Sequence, residues 1–133
     1  MSLVLDTSGY SLFDAGLEGA IKSMESASIY SIPSVVWGEL LSGFKRGSRH
    51  LRNLKRLNEF CREFDVEVIE VDQGVAEIYS NILIDLRKKG RPIPTNDLWI
   101  AASCLAVEGT LLTADGHFKE VKGLRVDFLD LPS

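Results

Sequence analysis

Short apolar runs alternate along this chain with longer amphipathic stretches, and that alternation restricts the fold more than any other feature. Residues 2–6, 29–32, 66–71, 110–113 and 126–129 are too short for buried helices and rich in Val, Ile and Leu, so they read as strands. Between them, residues 51–64 carry Leu54, Leu57, Phe60, Cys61 and Phe64 at helical spacing. Residues 74–89 do the same through Val75, Ile78, Tyr79, Ile82 and Leu86, with Gly90 and Pro92 as a stop. Ser34 is expected to cap a helix from Val35 to about residue 45. Thr95 or Asn96 should cap another, from Asp97 to about residue 107, ending at Gly109. A weaker helical stretch runs from Gly9 past Gly16 to Met24, and residues 119–122 read as a short turn or helix. Pro92 and Pro94 hold the intervening loop extended. Strands separated by helices predict an α/β fold around a parallel sheet. With 133 residues and no repeat or break in composition, the expectation is a single domain, 1–133.

Several function classes are excluded early. No uncharged apolar run approaches the ~20 residues of a membrane span, and the N-terminus lacks the basic region and cleavage site of a signal peptide. A cytoplasmic location is expected. Cys61 and Cys104 fall among apolar residues of predicted helices and read as buried, reduced thiols. Without C-x-x-C or H-x-x-x-H spacing there is no zinc signature. A net charge of −4 argues against nucleic-acid binding in bulk, but its distribution does not. Lys45, Arg46, Arg49, Arg52, Lys55 and Arg56 form one block with His50, and Arg87, Lys88, Lys89 and Arg91 form a second. Together they hold ten of the fifteen basic residues, enough for a locally positive surface on an acidic protein. A solvated helix face is the plainer reading of either block. The candidate RNA contacts are Lys45, Arg46, Arg49 and Arg52.

Four acids stand where the chain is otherwise apolar. Asp6 ends Leu3, Val4 and Leu5; Glu39 interrupts a run from Val35 to Leu41; Asp97 precedes Leu98, Trp99 and Ile100; Asp115 follows Leu111 and Leu112. Carboxylates at the edge of a core are costly unless neutralised, and two of them ~4 Å apart repel by about 4 kcal/mol at an effective dielectric near 20. A hard divalent cation is the usual answer for oxygen-only ligands. Asp6, Asp97 and Asp115 are the candidate metal ligands for Mg2+, with Mn2+ as the alternative ion. Glu39 would hold a water or accept its proton. Thr113 would orient a carboxylate or a phosphate oxygen, unless it is an inconsequential strand-end residue. Ser8 lies near Asp6 but also suits an ordinary turn, and Asn96 is expected to cap its helix.

The segments Leu5-Asp6-Thr7-Ser8, Glu39-Leu40-Leu41-Ser42-Gly43, Asn96-Asp97-Leu98-Trp99-Ile100-Ala101 and Thr113-Ala114-Asp115-Gly116-His117-Phe118 resemble those of PIN-domain ribonucleases. The order and spacing look most like the short VapC toxins of toxin–antitoxin pairs. That resemblance implies an α/β/α sandwich around a parallel sheet and a Mg2+- or Mn2+-dependent endoribonuclease. Hydrolysis of the RNA phosphodiester would proceed through water activated at the carboxylate-held metal. It assigns the catalytic set to Asp6, Glu39, Asp97 and Asp115; Thr113 joins the candidate set on the residue reading alone. It also implies a homodimer and a cognate antitoxin that reaches the active site. Gly116 and His117 stand where some members carry a further acid, which puts a second metal position in doubt. Trp37, Leu41 and Phe44 are either a docking groove for the partner or part of the core.

Two other classes remain open on the residues. One is a non-catalytic PIN-like module that binds RNA or protein. The other is a phosphotransfer domain with its Asp after the first strand. A dehalogenase-type site needs an acid two residues beyond that Asp, where Ser8 stands, and a receiver needs an N-terminal acid pair that is missing.

Overall fold

The computed structural model describes residues 1–131, so the last two positions of the expected 1–133 domain lie outside the described residues. Five strands form one parallel sheet in the order β3-β2-β1-β4-β5. They are β1 (Ser2–Leu5), β2 (Ile29–Pro33), β3 (Glu67–Ile69), β4 (Thr110–Thr113) and β5 (Arg125–Phe128). Among the described residues six α-helices flank them: α1 (Thr7–Asp14), α2 (Glu18–Ser26), α3 (Ser34–Arg46), α4 (His50–Glu63), α5 (Gln73–Lys89) and α6 (Thr95–Ala106). The parallel α/β sheet is the one expected from the alternation, and the whole agrees with the α/β/α architecture that the resemblance implies. No helix among the described residues is long and apolar enough to cross a membrane.

The order of the strands fixes where a site can form. The chain runs outward from β1 through β2 to β3, then returns to the other side of β1 for β4 and β5. The connections from the adjacent strands β1 and β4 thus diverge, which opens a crevice beyond their carboxyl ends. Leu3, Val4, Leu5, Leu111 and Leu112 are fully buried, as strands covered on both faces by helices must be.

Packing on either side is aromatic. Phe60 of α4 and Phe64, which follows it, meet Tyr10 and Phe13 of α1 and Tyr30 of β2, with ring centroids 5.0–5.6 Å apart. On α5 and α6, Tyr79 stacks on Trp99 at 3.8 Å. Cys61 is half-buried and Cys104 buried; both are free thiols, and burial pushes the Cys104 thiol up to about 12.

Several boundaries differ from the sequence expectation. Ser34 is the first residue of α3 and makes no cap; Pro33 precedes it, still paired in β2 with Ile69. Pro94 takes the same place before α6, so neither Thr95 nor Asn96 is its cap. In both cases an extended proline, φ −60° or −56°, delivers the chain into the helix without a side-chain acceptor. Strand β1 stops before Asp6 because that residue turns to cap α1. The expected strand 66–71 contracts to β3, an edge strand paired only with β2. The expected turn at 119–122 begins earlier, as a 3-10 helix, Gly116–Glu120, capped by Asp115. After α6 the left-handed residue is Glu108, φ 53°. Gly109 is required for a different reason: a Cβ there would lie 2.7 Å from Val4 Cγ2.

Candidate active site

Asp6 leaves β1 with extended backbone and caps α1. Its Oδ1 accepts from Gly9 N at 2.7 Å and Ser8 Oγ at 2.8 Å, and its Oδ2 accepts from the Thr113 hydroxyl. Asp6 is 5% exposed. Burial raises its pKa above the ordinary value; the bonds from Thr113, Gly9 and Ser8 pull it back, and the nearby Asp115 charge adds to the rise.

The approach of α1 to β4 depends on Gly9. An added Cβ would sit 2.3 Å from the Leu112 carbonyl oxygen, so only glycine permits the contact. Asp6 N also donates to that carbonyl, at 3.4 Å. Thr113 is fully buried and its Oγ1 accepts from Asp115 N at 3.0 Å. Its hydroxyl thus links the Asp6 carboxylate to the main chain at Asp115. Ser8 Oγ accepts from Ala114 N at 3.0 Å, tying the start of α1 to the end of β4.

The other acids come from α3, from α6 and from the turn after β4. Glu39, on α3, accepts from Thr7 Oγ1 at 2.7 Å and from Asn96 Nδ2 at 3.3 Å. Asn96, freed from capping, thus helps to aim Glu39. Asp97 lies in the first turn of α6, where the helix dipole favours negative charge. Its Oδ2 is 3.0 Å from His117 Nδ1. Burial raises its pKa, the His117 bond opposes the rise, and the charges of Asp115 and Glu39 add to it. Asp115 accepts from His117 N at 2.9 Å, and its Oδ1 is 3.1 Å from His117 Nδ1. The hydrogen bond to Asp97 and the Asp115 charge hold the imidazole above its usual pKa.

Asp6, Glu39, Asp97 and Asp115 line one open cleft of about 260 Å³ together with Thr7 and Ser8. Four segments distant in sequence converge there. The donor set suits a divalent cation. Asp97, Asp115 and His117 each offer one ligand atom, all within 4.8 Å of one another, close to twice a metal–oxygen or metal–nitrogen bond. Asp6 is outside that trio, its oxygens engaged by three protein donors. The imidazole of His117 was not singled out as a ligand from sequence. Its signal is local: two residues after a capping Asp, a side chain turns back across the carboxylate.

Lys45 and Arg46 occupy the last turn of α3, Arg49 precedes α4 and Arg52 lies in its first turn; all four are exposed and none lines the cleft. At 1.5 Å per residue, the strip begins roughly 9 Å along α3 from Glu39. Arg56, from the same block, is paired with Asp14 at 2.6 Å. In the second block, Lys89 pairs with Asp85 and Arg91 with Glu120. Trp37 and Phe44 are partly buried against the core, and Leu41 is half-buried.

Comparison with known proteins bears on the same cleft. The model of the PIN domain matches residues 3–124. Ribonuclease VapC4 of Mycobacterium tuberculosis is 27% identical over 97 residues, covering 73% of this chain and 75% of that protein. Among solved structures, VapBC2 from Rickettsia felis, bound to a DNA fragment from its promoter, superposes with a TM-score of 0.87 at 24% identity over 98% of this chain and 100% of that one. VapBC-5 from Mycobacterium tuberculosis, a member of the VapBC family of toxin–antitoxin systems, gives 0.74 at 26% identity over 98% of each chain.

Proposed function

The chain belongs to the PIN-domain family, and from that premise we propose that it is a divalent-metal-dependent endoribonuclease, the toxin of a VapBC-type toxin–antitoxin pair. One observation carries the reading: Asp6, Glu39, Asp97 and Asp115, delivered by four separate segments, line one cleft at the switch point of a parallel sheet. A module that only bound RNA would have no need to bury a carboxylate as deeply as Asp6 and to aim three more at the same space. Ser8 spends its hydroxyl on Asp6, so a dehalogenase-type second acid is absent from its required place.

Asp97 and Asp115 would hold Mg2+ or Mn2+, with Asp6 supplying fixed negative charge beside them. When bound, the ion polarises the scissile phosphate and eases deprotonation of water. Glu39, which accepts from Thr7 and Asn96, would take the proton of the attacking water. Thr113 keeps Asp6 and the turn at Asp115 in register. No histidine need act as general base, and the products carry 5′-phosphate and 3′-hydroxyl ends. Lys45, Arg46, Arg49 and Arg52 bind the phosphates of the RNA beyond the cleft. The protein works in the cytoplasm as a homodimer. Its activity is restrained by a cognate antitoxin, in keeping with the VapBC complexes whose fold it shares.

Mapping the ends of cellular RNA after brief expression tests the proposal. New 5′-phosphate ends should accumulate with the wild type and be absent with Asp97→Asn, whose circular dichroism should match. RNA that is bound and left intact by the wild type, with metal present, would establish the binding module instead.

A further inference from the structure

Resting on the nuclease reading above, we propose that His117 is a direct ligand of the active-site cation and tilts the site toward transition-metal ions over Mg2+. The imidazole is mounted for this task. Its main-chain N–H donates to Asp115 Oδ1 at 2.9 Å, and the next residue, Phe118, is 1% exposed and anchors the 3-10 helix in the core. A histidine in an exposed turn would ordinarily point to solvent. Here Nδ1 lies 3.0 Å from Asp97 and 3.1 Å from Asp115, acids from two different elements. One nitrogen and two carboxylate oxygens thus face a common centre.

The chemistry of that trio differs from an all-carboxylate site. Mg2+ takes oxygen ligands and keeps much of its water, whereas imidazole suits later first-row metals. Affinity for a mixed N/O site rises from Mn2+ to Co2+ and beyond. Where an acid would strengthen the site for Mg2+, a nitrogen ligand favours Mn2+ and, more strongly, Co2+. The competing account is that His117 is only a counter-ion, balancing Asp97 and Asp115 until a metal displaces it. The two accounts predict opposite consequences of its removal.

The test is calorimetric titration of the metal-free protein with Mg2+, Mn2+ and Co2+ at one fixed pH, for wild type, His117→Ala, His117→Asp and Asp97→Asn. A ligand role predicts that His117→Ala weakens Mn2+ and Co2+ by about tenfold or more, of the order seen when groups supporting a metal are removed, while Mg2+ changes little. His117→Asp should then favour Mg2+ relative to Co2+, and the visible spectrum of bound Co2+ should lose its nitrogen-ligand character. If His117→Ala leaves all three affinities unchanged or tightens them, His117 is no ligand and the proposal is overturned. In that case loss of binding in Asp97→Asn would leave the nuclease reading standing. A wild type that binds none of the ions overturns both.

Discussion

Thr113, at the end of β4, donates its hydroxyl to the carboxylate of Asp6, which follows β1. The same Oγ1 accepts the main-chain N–H of Asp115. One fully buried side chain therefore fixes two of the four acids, across a strand pair whose connections run in opposite directions. The relationship explains how half of a charged cleft is held at fixed geometry: Asp6 and Asp115 follow buried strand ends, while Glu39 and Asp97 are carried by the helices α3 and α6.

Thr113→Val removes both bonds at nearly constant volume. Asp6 loses a donor, and Asp115 N is left without its side-chain acceptor in a partly buried position. The expected cost is about 1–3 kcal/mol, the usual penalty for orphaning buried polar groups, read from the urea unfolding midpoint. RNA cleavage should fall with it, because Asp6 is no longer held. Thr113→Ser keeps the hydroxyl and should retain most of both; equal damage by Ser and Val would assign the role to the methyl group.

Gly9→Ala tests the close approach that places Asp6. Its Cβ would meet the Leu112 carbonyl oxygen at 2.3 Å, and main chain cannot yield as a flexible side chain can. Helix α1 must shift, at about 1–3 kcal/mol for overpacking. The shift lengthens the bond from residue 9 to Asp6, so metal affinity should drop alongside stability. Gly116→Ala, where no atom lies within 4 Å of the added Cβ, is the control and should leave stability nearly unchanged.

Much of this arrangement is legible in the residue string itself. Strand and helix order follow from apolar runs of four to six residues alternating with helical periodicity, and the positions of Asp6 and Asp115 at strand ends follow from those runs. What the chain's pattern did not reveal is contact chemistry. Nothing in the residue string says that Pro33 and Pro94 enter their helices without side-chain caps, or that Asn96 consequently reaches Glu39. The pairing of Arg56 with Asp14 joins positions 42 residues apart and has no local signature. His117 escaped for a similar reason: its role depends on a ring orientation set by the 3-10 helix, and spacing alone describes only its neighbours.

The titrating groups of the cleft give the metal-free protein a characteristic pH dependence. Asp6 and Asp97 have folded-state pKa values raised above 3.8, chiefly by burial. The unfolded chain ionises first, so their contribution to stability is greatest below 3.8 and declines as pH rises through the folded values. His117 is raised above 6.5, chiefly by its bond to Asp97; its contribution is complete below 6.5 and lost as pH rises through its folded value. Metal-free protein should therefore melt at a higher temperature near about pH 6 than near about pH 8.5. Saturating Mn2+ should narrow that gap by supplying the missing positive charge. Asp97→Asn should raise the metal-free melting temperature at the higher pH and abolish the response to Mn2+. A wild type equally stable at both pH values without metal would contradict the assigned environments.

The basic strip makes a separable prediction, because none of its side chains lines the cleft. Replacing Lys45, Arg46, Arg49 and Arg52 together by glutamine should leave folding intact and weaken RNA binding, with the loss falling on KM. Binding that releases counterions from single-stranded RNA varies with salt by about 0.7 log units per log unit for each phosphate neutralised. The fourfold variant should accordingly show a shallower salt dependence, by up to about 3 log units per log unit if every residue contacts a phosphate. Arg56→Gln provides the comparison within the same block. Its guanidinium is already committed to Asp14 at 2.6 Å, so its removal should change the salt slope less than removal of any one strip residue. Titrations of a short RNA against the Asp97→Asn protein, which the proposal expects to leave the RNA uncut, measure both slopes over a range of salt concentrations. An unaltered slope in the fourfold variant would make the strip a solvated helix face and place the RNA path elsewhere on the molecule.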